Sequence, residues 1–232
     1  AGYYGLDVAK IIKDFPDFQN IFANGLLLVA VNALLYKASR NHAMDMLANG
    51  YYSSKSKDGR MPEDRIRDTG YEAIWSAESR ALISTCYAEL TPQEAVNLIF
   101  KRMLLRSFGT QSNPDQNMFS ENALEVGAGI ASGESVELND ICGGDVNLAV
   151  VDYAADSSST APYLMGIVYK DANANNLFDP GEGLPGVPVE IKEVGTTSVR
   201  KIATNPMGGY GVSVQPGRYR VTVDTDEPVR KW

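Results

Sequence analysis

The stretch "AADSSSTAP", residues 154–162, divides this chain more sharply than any other feature. It is rich in Ser, Ala and Pro and lacks hydrophobic periodicity, the signature of an exposed linker. Helical patterns alternate with short strand patterns before it, and no helical pattern follows it. With 232 residues in all, each side is long enough to fold on its own. The expected organisation is a first domain over 1–154, with 1–24 as an N-terminal extension, a linker over 155–162, and a second domain over 163–232.

In the first domain, Leu35, Ala38, His42 and Met46 recur at three- and four-residue spacing and predict a helix with one buried stripe, stopped at Gly50. A second helix opens at "TPQE", with Thr91 as N-cap, Pro92 in the first turn and Glu94 completing a capping box, and runs through "AVNLIFKRMLL". "LEVGAGIA" (124–131) and "VNLAVVDYA" (146–154) predict strands. Helices around a small sheet give an α+β fold, arranged as an α/β/α sandwich. "GLLLVAVNALL", from Gly25 to Leu35, is too short to span a bilayer and is broken by Asn32, so it predicts a buried segment and no transmembrane segment. The charge run "EDRIRD" (63–68) predicts a solvated helix face, and the glycines of "GAG" predict close strand packing. In the second domain, "LMGIVY", "GVPVEIKEV", "SVRKIAT", "GGYGVSV" and "GRYRVTVD" are short β-branched or aromatic runs bounded by Gly, Pro or Asn. They predict a small all-β sandwich.

The net charge of −8 argues against nucleic acid and anionic membranes as partners. "AGYYGLDVAK" lacks the charged and apolar regions of a leader peptide, which fits a chain already processed or trimmed. Cys86 and Cys142 sit in no CxxC or Cys/His cluster, so they read as one disulfide or as two buried thiols. His42 is the only histidine. Any serine or cysteine nucleophile would need it as base, yet its place on the apolar stripe predicts a core histidine with one satisfied hydrogen bond.

"DANANNLFDPGE" (171–182) gathers oxygen donors at alternating positions. Counted as a twelve-residue calcium loop, it offers Asp171, Asn173, Asn175, the Leu177 carbonyl, Asp179 and Glu182, with Asn176 where a glycine is usual. A hard divalent cation takes six to eight oxygens, which is the reason for this spacing. The competing reading is a polar turn between two strands. With its flanking strands, "GIVYKDANANNLFDPGEGLPGVPVEI" resembles the calcium-binding B-type repeats of serine–aspartate-repeat and Cna-B-like surface adhesins over about 163–225. The resemblance implies an Ig-like or prealbumin-like sandwich serving as an extracellular spacer. Some of those relatives carry a Lys–Asn cross-link. Lys170 stands near the first strand, but "YRVTVD" ends without the partner Asn, so no cross-link is expected.

"NHAMDMLANGYYSSKSKDGRMPEDRIRDTGY" (41–71) resembles the helix and following turn of bacterial CAP domains, the superfamily of cysteine-rich secretory proteins, with likeness over about 25–154. That resemblance implies a cleft in which two histidines and acidic residues can hold a divalent metal. Here the first histidine position is Ser54, the second falls near Leu105 beside Arg106, and the cleft glutamate survives as Glu78 in "WSAES". Glu78 and Ser54 are thus remnant cleft candidates with no catalytic residue assigned, and Glu78 is expected to act as a structural carboxylate accepting backbone N–H bonds. The expectation is a secreted, non-catalytic surface or adhesion protein with Ca2+ as its cofactor and an extracellular or cell-surface protein or glycan as its partner. The alternatives are a cell-wall-directed hydrolase using Glu78 and a lipid carrier with a CAP-type groove.

Overall fold

The computed structural model describes residues 9, 13, 29–86, 90–107, 114–139, 144–156, 162–174, 178–179 and 181–224. The chain divides into two compact units, Ala1–Ser157 and Ser158–Trp232.

The first unit runs β1 (Ala30–Val31), α1 (Ala33–Ala48), α2 (Pro62–Asp68), β2 (Ala73–Ser84), α3 (Pro92–Ser107), a 3-10 turn (Pro114–Phe119), β3 (Glu125–Glu134) and β4 (Asp145–Asp156). The strands form a sheet in the order β1-β3-β4-β2, with β1 parallel to β3 and the other pairs antiparallel. Helix α1 starts where Asn32, in extended conformation, accepts the amide N–H groups of Leu34 and Leu35 through its side-chain oxygen. Gly50, at φ +60°, follows its end. Helix α3 starts with a reciprocal cap: the Thr91 amide donates to Glu94 at 2.9 Å, and the Glu94 amide to the Thr91 hydroxyl at 3.3 Å.

Successive strand residues face opposite ways, and the two helices cover the two faces. Ala43 and Met46 of α1 pack on Ala131, Val146, Leu148 and Val150. Ile99 and Met103 of α3 pack on Ala81 and Ala149 from the other side. The glycines of "GAG" serve the helix rather than strand packing. A Cβ at Gly127 would overlap the backbone of Leu35 and Tyr36, and one at Gly129 the backbone of Ser39 and Arg40. Helix α1 therefore lies with its backbone against β3. "GLLLVAVNALL" is not one buried segment. Residues 25–28 lie outside the described residues, Ala30 is buried, Val31 is exposed, and a helix begins two residues later. Cys86 is in a disulfide, and Cys142 lies outside the described residues.

The second unit contains β5 (Tyr163–Ile167), β6 (Pro188–Glu193), β7 (Val199–Ala203), β8 (Gly209–Ser213) and β9 (Tyr219–Val223). β5 pairs with β8, and β7-β6-β9 form a second sheet, all antiparallel. One core joins the two sheets: Leu164, Tyr210 and Val212 from the first meet Val189, Ile191, Ile202 and Val221 from the second. The ring of Tyr210 covers Gly166, its cross-strand partner.

Candidate functional site

Polar groups collect in the first unit on the sheet face that α1 covers. His42 belongs to the buried stripe of that helix. The register of β2 against β4 sets Glu78 directly opposite Asp152. Arg65 enters from α2, and the turn between α1 and α2 brings Ser53, Ser54 and Ser56. The side chains of His42, Arg65 and Glu78 are 0%, 5% and 1% exposed, so their charges must be met inside the protein.

Arg65 meets most of that demand. Its Nη2 donates to Glu78 Oε2 at 2.5 Å, and its Nη1 donates to the Ser54 carbonyl at 2.8 Å, the Ser56 hydroxyl at 3.0 Å and the Arg60 carbonyl at 3.1 Å. Arg80 Nη1 donates to Glu78 Oε1 at 3.3 Å and to the Ser54 hydroxyl. His42 Nε2 lies 3.0 Å from the Ser53 carbonyl, which only accepts, so the ring proton sits on Nε2. Nδ1 then faces the Ser56 hydroxyl at 3.5 Å as an acceptor. Burial, reinforced by the Arg65 charge, lowers the His42 pKa from 6.5 to about 4. Burial also raises Glu78, outweighing the two arginines that favour its charged form. Asp152, 1% exposed, is pushed well above the usual carboxylate range by burial and by the charge of Glu78. Its Oδ1 accepts no hydrogen bond.

Ser54 and Glu78 are thus brought together, through Arg80 and Arg65 rather than by direct contact. Two expectations are corrected. Glu78 takes its side-chain hydrogen bonds from guanidinium groups rather than from backbone N–H groups. "EDRIRD" is not solvated throughout, because Arg65 and Ile66 are buried. Leu105 is 48% exposed on α3. Arg65, Arg80, Ser56 and Asp152 were not among the sequence candidates. A charged residue inside the apolar run "VNLAVVDYA" was the available signal for Asp152, since a buried strand carries a carboxylate only where something answers it.

This arrangement compensates charge internally. Both Glu78 oxygens are engaged by cations, and His42 spends its proton on a backbone carbonyl. The Ser56–His42 contact lacks the third member of a triad. Glu78 Oε2 stands 3.9 Å from Nε2, beyond hydrogen-bond reach, and holds Arg65 instead. No group of three or more His, Cys, Asp or Glu side chains that would hold a metal ion occurs among the described residues. A cavity of about 260 Å³ lies beside the cluster, with His42, Ser56 and Arg65 in its wall.

In the second unit, Asp171, Asn173, Asp179 and Glu182 lie on the oxygen-rich loop, while Asn175, Asn176 and Leu177 lie outside the described residues. The loop base is closed by the Lys170 amide donating to the Glu182 carbonyl at 3.0 Å. The Glu182 carboxylate accepts the amides of Ala172 and Asp179, each at 2.9 Å, and the Asn173 amide donates to Asp179 Oδ2 at 2.7 Å. Ala174 holds φ +57°, a left-handed turn that non-glycine residues seldom adopt.

No family model matches the chain, and no curated protein matches it. Among solved structures, it is similar to an extracellular protein containing a SCP domain from Bacillus anthracis str. Ames, at 15% identity and TM-score 0.40, covering 65% of this chain and 41% of that one. It is also similar to an outer surface protein from Borrelia burgdorferi, at 12% identity and TM-score 0.36, covering 65% of this chain and 97% of that one. At these scores neither likeness carries a conclusion about what the chain does.

Proposed function

We propose that this chain is a non-catalytic extracellular or surface binding protein, with a CAP-like first unit that offers a binding face and a second unit that acts as a calcium-stiffened spacer. The observation that carries the reading is the position of Arg65. Its guanidinium lies against Glu78, the Ser54 carbonyl and the Ser56 hydroxyl, where it neutralises the carboxylate that a metal or a proton-transfer step would need. A carboxylate committed to a buried arginine is a poor metal ligand and a poor base.

The oxygen-rich loop suits calcium in its donor chemistry. Asn173 and Asp179, the third and ninth positions, converge. Glu182, the twelfth, spans the loop between Ala172 and Asp179. With Asp171 they would hold a hard cation, which supplies cross-bridging charge and hence stiffness.

The test is turnover. Incubated with peptidoglycan and a panel of glycans, the purified chain is expected to release no product. Product release that disappears in Glu78→Gln would overturn the non-catalytic reading in favour of a hydrolase.

A further inference from the structure

We propose that the outward face of the β7-β6-β9 sheet in the second unit binds an extended polyol phosphate chain through Lys192, Arg218 and Arg220. This role is additional to that of spacer and depends neither on calcium nor on Glu78.

The strand register fixes which side chains share that face. Ile191 stands opposite Val221 and Val189 opposite Val223, and all four belong to the core. Alternation then turns Glu190 and Lys192 of β6, and Arg220 and Thr222 of β9, outward. Pairing continues one residue before β9, where the Arg218 carbonyl accepts the Val194 amide at 2.8 Å, so Arg218 shares the side of Arg220. Lys192, Arg218 and Arg220 are all exposed. On β7, Val199 lies opposite Lys192, and Lys201 lies opposite Glu190. Glu193, opposite Tyr219, belongs to the core-facing side.

Two adjacent rows of this face handle charge differently. In one, Glu190 is met by Lys201 at 3.4 Å. In the next, Lys192 faces Arg220 directly, and neither side chain has a hydrogen bond, ion pair or ring contact among the described residues; the same holds for Arg218. Like charges directly opposite one another weaken a strand pair. Charges on an edge strand deter sheet-to-sheet pairing, which accounts for cations on β9, but β6 is the central strand and Lys192 has no edge to guard. An external anion removes the repulsion between Lys192 and Arg220. Guanidinium and ammonium groups donate hydrogen bonds and accept none, so the ligand brings acceptors and negative charge. Arg218 and Arg220 are spaced by about 7 Å along the strand, with Lys192 about 5 Å to the side. A chain with one phosphodiester per short polyol unit repeats its charge at a comparable spacing when extended. A flat face does not enclose a single small anion, so affinity needs several charges in line. An acidic peptide would lay its backbone N–H groups on a face built of side chains such as Val199, without acceptors. A nucleic acid strand would find Val199 and Thr222 in place of stacking rings. Asp224, exposed and two residues past Thr222, repels an anion and ends the site on that side.

The full chain, titrated calorimetrically with a synthetic glycerol phosphate oligomer, is expected to bind it. Affinity should fall on the order of tenfold between about 50 and 200 mM salt, the dependence expected of three phosphate contacts. Lys192→Gln and Arg218→Gln should each weaken binding by about two- to fivefold, the scale of an exposed ion pair. Arg220→Glu should abolish it, while the melting temperature of the second unit stays level or rises, because the new carboxylate answers Lys192. Lys101→Gln, the same loss of charge at an exposed position of the first unit, should leave binding unchanged. No binding, an equal loss in Lys101→Gln, undiminished binding in Arg220→Glu, or equally tight binding of polyglutamate of matched charge would each overturn the inference. So would binding to phosphatidylglycerol vesicles without binding to the oligomer. A lower melting temperature in Arg220→Glu would mark that cation as structural and overturn it as well.

Discussion

Asp152 is buried opposite Glu78, and its Oδ1 has no hydrogen-bond partner among the described residues. Its raised pKa makes it neutral in the fold over a range where the unfolded chain carries it ionised. The stability cost is absent below the unfolded carboxylate pKa and grows as pH rises toward the raised folded value. Asp152→Asn should therefore raise the melting temperature at pH 7 by at least about 2 °C, the shift that 1 kcal/mol gives in a unit of this size. A lower melting temperature would mean that the ionised form is the one stabilised. His42 behaves oppositely. Its pKa is depressed from 6.5 to about 4, so the stability it confers is full above 6.5 and is lost as pH falls toward 4. Since it is the only histidine, its ring protons are assigned in an NMR titration without ambiguity, and the expected midpoint lies near 4. A midpoint near 6.5 would show that the ring is solvated. Arg65→Ala should cost about 3 kcal/mol in denaturant unfolding, because it strips the buried Glu78 carboxylate of the closer of its two cations and leaves only Arg80. Combining Arg65→Met with Glu78→Gln should cost less than the sum of the single changes, and strict additivity would deny the pairing.

At the level of elements, the helices were legible because their signals are local. The stripe of Leu35, Ala38, His42 and Met46, the Thr91–Glu94 cap and Gly50 all stand where the sequence places them. β2 was not legible, and the cause is physical. Its sequence, "AIWSAESRALIS", turns Glu78 and Arg80 toward the polar cluster, so apolar alternation fails where the strand builds the site. Of the two cation partners of Glu78, Arg80 stands two residues along its own strand, but Arg65 comes from a helix 13 residues upstream, a pairing that spacing does not reveal. Gly127 offers the matching test. Gly127→Ala should destabilise by about 1–3 kcal/mol or more by lifting α1 from β3, while Ala128→Ser, next to it and exposed, stays within about 0.5 kcal/mol. Equal effects would mean that helix and strand are less closely packed.

At the level of the whole molecule, the two units present opposite electrostatic solutions. The second unit leaves hard oxygens on a loop, whereas the first buries Glu78 against its own guanidinium groups. The five strand runs of the second unit were readable because each is bounded by Gly, Pro or Asn and each sends at least one apolar side chain into one core. Calcium is expected to raise the melting transition of the second unit and chelator to lower it, with the first unit's transition unmoved. A calcium-insensitive scan would remove the spacer's cation. The most direct measurement is the number of calcium and zinc ions bound at equilibrium by the wild-type chain and by Glu78→Gln. If Arg65 supplies the positive charge at Glu78, both proteins bind the same number and the variant differs in stability alone. Loss of one bound ion in Glu78→Gln would contradict this and make the buried carboxylate a metal ligand.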